Sequence, residues 1–308
     1  MRLLLLVYPL ALISCAVKTE SKTSPLAPTK SYFSSSDGKR LPVQHWNLQA
    51  QPKTIILALH GIEGAAQDFK NLGKALSTQS PQTTLYALNL RGGGYDPTPQ
   101  DRGNISSANL WKRDLLEFHR TLKKLHPKAQ FTWLGESMGS LIAMNTVSET
   151  SNPPDKLILV SPVVSLNFIP PWQVASLKTA SFLVPGLRVS LEALSGGSFQ
   201  ATSNSDHFTQ NKTNPYYLDR YSLRYLRSIA SLSEQMKQAA TKTTLPTLIL
   251  HGGKDFLTNE TEIQEFTAAF PKKPSLHQFH ASRHLLFFDK QKNEVIDTIL
   301  KWVSQPTS

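Results

Sequence analysis

Residues 131–141, Phe-Thr-Trp-Leu-Gly-Glu-Ser-Met-Gly-Ser-Leu, admit few folds. The apolar run 131–134, with its aromatic members, reads as a buried strand. It passes straight into Gly135-Glu-Ser-Met-Gly139, of the form G-x-S-x-G, and residues 140–145 read as the start of a helix. A strand that turns this tightly into a helix needs the clearance that flanking glycines give. It holds the serine in a strained conformation, with its hydroxyl above the end of a sheet. The helix that starts there favours negative charge at the same place.

The rest of the chain repeats the alternation of buried strand and helix. Thr54–Leu59, TIILAL, is a continuous apolar run, which suits a parallel sheet covered on both faces. Further strands are expected at 85–90, 155–161, 245–251 and 275–280, and helices at 69–77, 261–270 and 293–303. In Asn109–Leu125 the residues Leu110, Asp114, Leu115, Phe118 and Leu122 are spaced by three and four, the period of an amphipathic helix. Segments 32–35 and 41–47 flank the turn Ser36-Asp-Gly-Lys39 and predict an antiparallel hairpin. The fold class is therefore α/β, a mostly parallel, doubly wound sheet.

The alternation stops between 162 and 243. This stretch carries Pro162, Pro170, Pro171, Val184-Pro-Gly186 and Gly196-Gly197, and shows helical patches at 216–230 and 231–240 but no clear strand. Inserted between two sheet strands, it reads as a helical cap. Phe168, Trp172, Phe182, Leu183, Tyr216, Tyr217, Leu223 and Leu226 are its candidate pocket-lining residues, each of which serves equally well in the cap's own core.

The N-terminus reads separately. Met1-Arg2 precedes an apolar run at 3–13, too short to span a bilayer as a helix and suited to a signal-peptide core. It ends in Leu12-Ile-Ser-Cys15, and Cys15 is the only cysteine. This resembles the lipobox of bacterial lipoproteins, which implies removal of 1–14, lipidation of Cys15, and a tether of Ser, Thr, Lys and Pro up to residue 31. The domain proper is then 32–308. Removal of 1–14 takes the formal charge from +11 to +10. Ala16, not aspartate, follows the cysteine, so the resemblance implies the outer membrane of the cell envelope. Such a charge favours anionic surfaces. No zinc-finger spacing, RNP-like sequence or arginine-rich tract is present, so no nucleic-acid partner is expected.

The pieces LALHGIEG (57–64), LNLRGGGYD (88–96), LGESMGS (134–140), LILHGGKDFLT (248–258) and SRHLLFFD (282–289) resemble, in order, those of the α/β-hydrolase superfamily. Within it they are similar to the group of monoacylglycerol lipases, lysophospholipases and serine aminopeptidase-like hydrolases. The resemblance implies Ser137 as nucleophile, Asp255 as acid and His284 as base, in the chain order that the superfamily uses. His280 is a rival base that the strand pattern places in the packing. Asp289 and Glu260 are rival acids. A serine hydroxyl needs such a base, the base needs an acid to fix its tautomer, and the oxyanion needs preorganised donors. Those donors are expected to be the backbone N–H groups of Ile62 and Met138. Glu63, close to that loop, is expected to point away. Two departures stand out: Arg91-Gly-Gly-Gly94 lacks the histidine and serine common in that motif, and Glu136 stands where histidine is common.

The expected activity is hydrolysis of a lipid or small carboxylic ester through an acyl-enzyme, with monoacylglycerol or lysophospholipid as substrate. The alternatives are a short-chain esterase, an acyltransferase, or a non-catalytic surface lipoprotein that binds a partner. No metal-ligand cluster, phosphate loop or dinucleotide fingerprint occurs, and no cofactor is expected. The sequence leaves the oligomeric state open.

Overall fold

The computed structural model describes residues 31–167, 169–194, 200–207 and 213–306. The expected signal segment 1–14, Cys15, the expected tether except Ser31, and Phe168 lie outside the described residues. Among the described residues no helix is long and apolar enough to cross a membrane.

In chain order the sheet opens with the hairpin β1 (Ser31–Ser34) and β2 (Arg40–Trp46), followed by β3 (Thr54–Leu59), α1 (Lys70–Gln79) and β4 (Thr83–Leu88). Then come α2 (Asn109–Leu125), β5 (Gln130–Glu136), α3 (Met138–Val147) and β6 (Lys156–Val160). The insertion holds α4 (Pro171–Leu183), β7 (Arg188–Ser190), β8 (Arg220–Ser222), α5 (Leu223–Glu234) and α6 (Met236–Thr241). The chain closes with β9 (Thr247–Gly252), α7 (Glu260–Ala268), β10 (Ser275–Phe279) and α8 (Lys292–Val303).

The eight-stranded sheet runs β1-β2-β4-β3-β5-β6-β9-β10. β1, β2 and β4 pair antiparallel, and every pair from β4 to β10 is parallel. Successive residues of β3 feed opposite faces: Ile55, Leu57 and Leu59 join one core with α2, α3 and the cap, while Ile56 and Ala58 join the other with α1 and α8. Strand order reverses at β3, whose chain successor β4 lies on one side and β5 on the other. Ligands bind at such a switch point, outside the carboxyl ends of the strands. Leu59 pairs with Gly135, so the loops that follow β3 and β5 leave the sheet side by side.

Two expectations for the insertion are corrected. It does contain strands: β7 and β8 form an antiparallel pair of three residues each, too short to show a period. The helix expected from 216 begins at Leu223 instead. Pro215 and an Asx turn, in which Tyr216 N–H donates to Asn214 Oδ1 at 3.0 Å, keep the preceding residues out of it. Ser222 then caps α5, accepting from Tyr225 N–H at 3.2 Å. The helix α4 carries Pro171 at its first turn, where proline fits.

Candidate active site

Ser137 joins β5 to α3 with φ 51° and ψ −115°. Such a conformation costs a non-glycine residue about 1–3 kcal/mol and survives only when its surroundings enforce it. Here Ser137 N–H donates to Val160 O at 2.9 Å, and the Ser140 hydroxyl donates to Gly135 O at 2.6 Å. A side chain at Gly139 would collide with the Leu59 carbonyl, so only glycine lets α3 start this close to β3.

The loop after β10 brings His284 over the serine. Its Nε2 lies 2.8 Å from Ser137 Oγ, and its Nδ1 lies 2.8 Å from Asp255 Oδ2. The three are only 7%, 2% and 8% exposed, respectively for Ser137, His284 and Asp255. A carboxylate accepts only, so Nδ1 carries the proton and Nε2 is left free to accept from the serine hydroxyl. Asp255 Oδ1 accepts from Leu257 N–H at 2.9 Å, which fixes the carboxylate. The rival acids lie elsewhere. Asp289 accepts from the N–H groups of Arg283 (2.8 Å), Lys290 (2.8 Å) and Ser203 (3.2 Å), shaping the loop that presents His284. Glu260 opens α7 and is exposed. His280 is exposed in the turn after β10, contrary to the expectation that it packs.

The loop after β3 lies against the serine: a side chain on Gly61 would reach Ser137 Cβ at 3.4 Å. His60 is buried beneath it, and burial pushes its pKa down to about 4. Its Nε2 accepts from Leu90 N–H at 3.0 Å, so Nδ1–H donates to Gly61 O at 2.7 Å. From the cap side, Tyr221 OH donates to Ile62 O at 3.1 Å. Ile62 and Met138 both border the same cavity as Ser137. The N–H of Met138 opens α3 and, like any first-turn N–H, has no intrahelical acceptor. Glu63 turns its carboxyl to the cap, where Tyr217 OH donates to Oε1 at 2.9 Å.

The sequence profile of the family described as serine aminopeptidase, S33 matches residues 50–291. The chain belongs to that family. Human monoglyceride lipase is 26% identical over 287 residues, covering 89% of this chain and 90% of that one. The monoacylglycerol lipase of Mycolicibacterium smegmatis is 22% identical over 281 residues, covering 88% and 95%. The solved structure of a soluble variant of monoglyceride lipase from Saccharomyces cerevisiae, bound to a substrate analog, superposes with a TM-score of 0.76 at 18% identity over 94% of this chain and 99% of that one. This S33 protein is a carboxylic ester hydrolase of the α/β-hydrolase class.

Beside Ser137 the S33 cap roofs an apolar cavity of about 440 Å³, within the range of small-molecule sites. Leu223 and Leu226 line it, as expected. Trp172, Phe182 and Leu183 do not: they are 72%, 72% and 77% exposed, with the Phe182 ring under the Arg227 guanidinium at 4.4 Å. Val174 and Leu177, three apart on α4, face the cavity in their place. Tyr216 stays at the surface and stacks on Tyr95 with ring centroids 4.3 Å apart. Gly93 stands where that motif commonly has histidine, and a side chain on it would lie 3.0 Å from the Leu90 carbonyl and 3.4 Å from His60 Cε1; Gly94, which the motif keeps, clears the Tyr216 carbonyl. Arg91 is spent on structure: its Nε and Nη2 donate to the two Asp114 oxygens at 2.8 and 2.9 Å.

The departure at Glu136 is costlier. Glu136 is 1% exposed and its Oε1 has no hydrogen-bond partner. Burial, reinforced by the nearby Asp68 carboxyl, pushes its pKa up to about 8. Burial likewise pushes Asp68 up to about 7, against the N–H of Ala65. Both groups therefore hold protons that the unfolded chain releases near pH 4. The folded state binds more protons across that window, so stability falls as pH rises through it. Glu136→Gln removes a group that must otherwise ionise while buried. Its Tm at about pH 9 is expected to exceed the wild type's by roughly 5 °C, with the gap closing toward pH 5; thermal melts across that range check it.

One supporting residue escaped the sequence reading. Ser161, at φ 47°, donates its hydroxyl to His284 O at 2.6 Å and ties the end of β6 to the histidine loop. The partners are 123 positions apart, and no local pattern links them.

Proposed function

We propose that this ester hydrolase works through an acyl-enzyme on Ser137 and that its substrate is a monoacylglycerol or lysophospholipid. Ser137 attacks the ester carbonyl while His284 takes its proton. Asp255 holds the imidazole in the required tautomer and offsets the charge that develops on it. The N–H groups of Ile62 and Met138 receive the oxyanion. His284 then protonates the leaving alcohol and activates the water that frees the acyl group. The observation that carries this reading is the hydrogen-bonded Ser137–His284–Asp255 chain opening onto an apolar cavity roofed by the cap. The human and mycobacterial relatives are named as lipases of monoacylglycerols, which supports that substrate.

A fluorophosphonate probe tests the nucleophile: wild-type protein is expected to take up one phosphonyl group on the peptide containing Ser137, located by mass spectrometry. A chain-length series of p-nitrophenyl esters tests the substrate. Peak kcat/KM on medium or long acyl chains supports the lipase reading, and a peak on butyryl or shorter favours a short-chain esterase.

Tyr221→Phe is a milder test of the oxyanion donors. It removes a hydroxyl shared between Ile62 O and Leu218 O, each at 3.1 Å, and so frees the peptide next to the one that carries the Ile62 N–H, at a residue that does not line the cavity. We expect kcat to fall about tenfold with KM little changed, because a donor aimed at the transition state is loosened and ground-state binding is not.

Residues 12–15 support a further proposal, that Cys15 is lipidated and holds the enzyme at the cell envelope. Cys15→Ser is expected to move the protein from the membrane to the soluble fraction.

A further inference from the structure

The stretch 248–258, LILHGGKDFLT, supplies Asp255 and two further polar residues that the mechanism does not use. His251 lies near the end of β9 and Thr258 just beyond Asp255, and they are 1% and 0% exposed. Buried polar groups cost free energy unless they are hydrogen-bonded. The bonds of these two lead to the loop that carries the acid.

His251 Nε2 lies 2.9 Å from Thr258 O. A carbonyl only accepts, so Nε2 bears the ring proton and Nδ1 is bare. Nδ1 is buried and has no partner among the described residues. An apolar ring in the same place would carry no such penalty. The imidazole therefore serves the bond at Nε2, which closes the loop from 251 to 258 across Asp255.

The two halves of that loop are held differently. In the first half, Gly253 N–H donates to Phe279 O and Lys254 N–H donates to Ser282 O, each at 3.0 Å, so the backbone pins it to the end of β10 and to the histidine loop. The second half supplies Leu257 N–H, the donor that orients Asp255 through Oδ1. Thr258, next in the chain, holds this half with three bonds. Its carbonyl accepts from His251, its hydroxyl donates to Pro162 O at 3.0 Å, and the same oxygen accepts from Val164 N–H at 3.4 Å. The stretch 161–164 that receives Thr258 also holds the base, through the Ser161 hydroxyl on His284 O. It holds the cap as well, because the Ser233 hydroxyl of α5 donates to Val163 O at 2.8 Å. Acid and base thus hang from one segment, and side-chain bonds at its two ends set their separation.

We propose that His251 and Thr258 are positioning residues for Asp255. Their mutual bond and the Thr258 hydroxyl fix the second half of the acid's loop. Leu257 N–H then keeps the carboxylate turned so that Oδ2 meets His284 Nδ1 at 2.8 Å. The proposal rests on the reading of the chain as a hydrolase with an acyl-enzyme on Ser137. Neither residue borders the cavity beside Ser137, so their removal should act on kcat and not on KM.

Four variants of the full chain test this on p-nitrophenyl decanoate below its critical micelle concentration, with Asp255→Asn as the reference. Thr258→Val removes the hydroxyl at nearly constant shape, and Thr258→Ser keeps it. His251→Phe removes the ring N–H, and His251→Gln keeps a donor of similar reach. Thr258→Val and His251→Phe are each expected to lower kcat about 10- to 100-fold, with KM within about twofold of the wild type's. Thr258→Ser and His251→Gln should restore kcat to within about fivefold of the wild type. Proton NMR adds a readout that a loss of stability alone leaves unmoved: the low-field resonance of the proton between His284 Nδ1 and Asp255 Oδ2. It is expected in the wild type and the two conservative variants, and lost or broadened in the other two and in Asp255→Asn. Should one disruptive variant not fold, the other residue's pair decides. A folded Thr258→Val or His251→Phe enzyme with kcat within about threefold of the wild type overturns the positioning role. So does a lower kcat with the resonance unchanged, or an equal loss in the conservative variants. Absence of turnover by folded wild type, or full turnover by Asp255→Asn, overturns the reading of the triad instead, so the two failures are told apart.

Discussion

Ser137→Ala is expected to lower kcat for ester hydrolysis by about 10⁴-fold or more and to abolish labelling by a fluorophosphonate. The size follows from what remains. His284 stays in place, because Asp255 still holds Nδ1 and Ser161 still holds its carbonyl. The N–H groups of Ile62 and Met138 also stay, and would still favour attack by water on a bound ester. What is lost is the covalent step, in which a difficult hydrolysis is divided into two easier ones. Folding should be little affected. Alanine at φ 51° is no more strained than serine, and the bond lost joins two side chains rather than elements of the sheet. A Tm close to the wild type's, measured beside the lost turnover, therefore assigns the effect to chemistry. The same variant decides against a purely binding role. If Ser137→Ala retained the protein's full activity in the cell, the surface-lipoprotein alternative would hold, and the Ser137–His284 contact would be incidental.

The fold was legible wherever one buried face or one helical period dominated. β3 and α2 lie where TIILAL and the three-four spacing of Asn109–Leu125 put them. β4 starts two residues earlier than expected, because Thr83 and Thr84 are polar by type yet buried, with the Thr84 hydroxyl donating to Asn47 O at 3.0 Å. The cap was hardest to read. Its α4 is apolar on nearly all sides, so composition named Trp172 and Phe182 while geometry chose Val174 and Leu177. The site was legible through its loops: Ser137, Asp255 and His284 each follow a predicted strand, and the parallel sheet brings those strand ends to one edge. Contacts between distant segments carried no local signal. Tyr221 on Ile62 and Asp68 beside Glu136 depend on how the cap and the loop after β3 settle in three dimensions.

Asp255→Asn is expected to lower kcat about 10³- to 10⁴-fold while leaving KM and Tm close to those of the wild type. The carboxylate makes two bonds: Oδ1 accepts from Leu257 N–H, and Oδ2 accepts from His284 Nδ1–H at 2.8 Å. Asparagine keeps an oxygen for the first and offers an N–H₂ group for the second. That group can only donate, so Nδ1 must become the acceptor and the ring proton moves to Nε2, where it blocks removal of the serine proton. Geometry survives and the tautomer is wrong, which is why the loss falls on kcat and not on binding. The rival acid gives the opposite pattern. Asp289 accepts from the backbone N–H groups of Arg283 and Lys290 and from Ser203, and makes no bond to His284, so Asp289→Asn should cost roughly 1–2 kcal/mol of stability and less than tenfold in kcat. Glu260, exposed at the start of α7, should be neutral as glutamine. Steady-state kinetics and thermal melts on the three variants distinguish these outcomes. An Asp255→Asn enzyme that kept more than about a tenth of wild-type kcat would mean that His284 finds its tautomer without that carboxylate, and the acid would have to be sought among the groups that hold its loop.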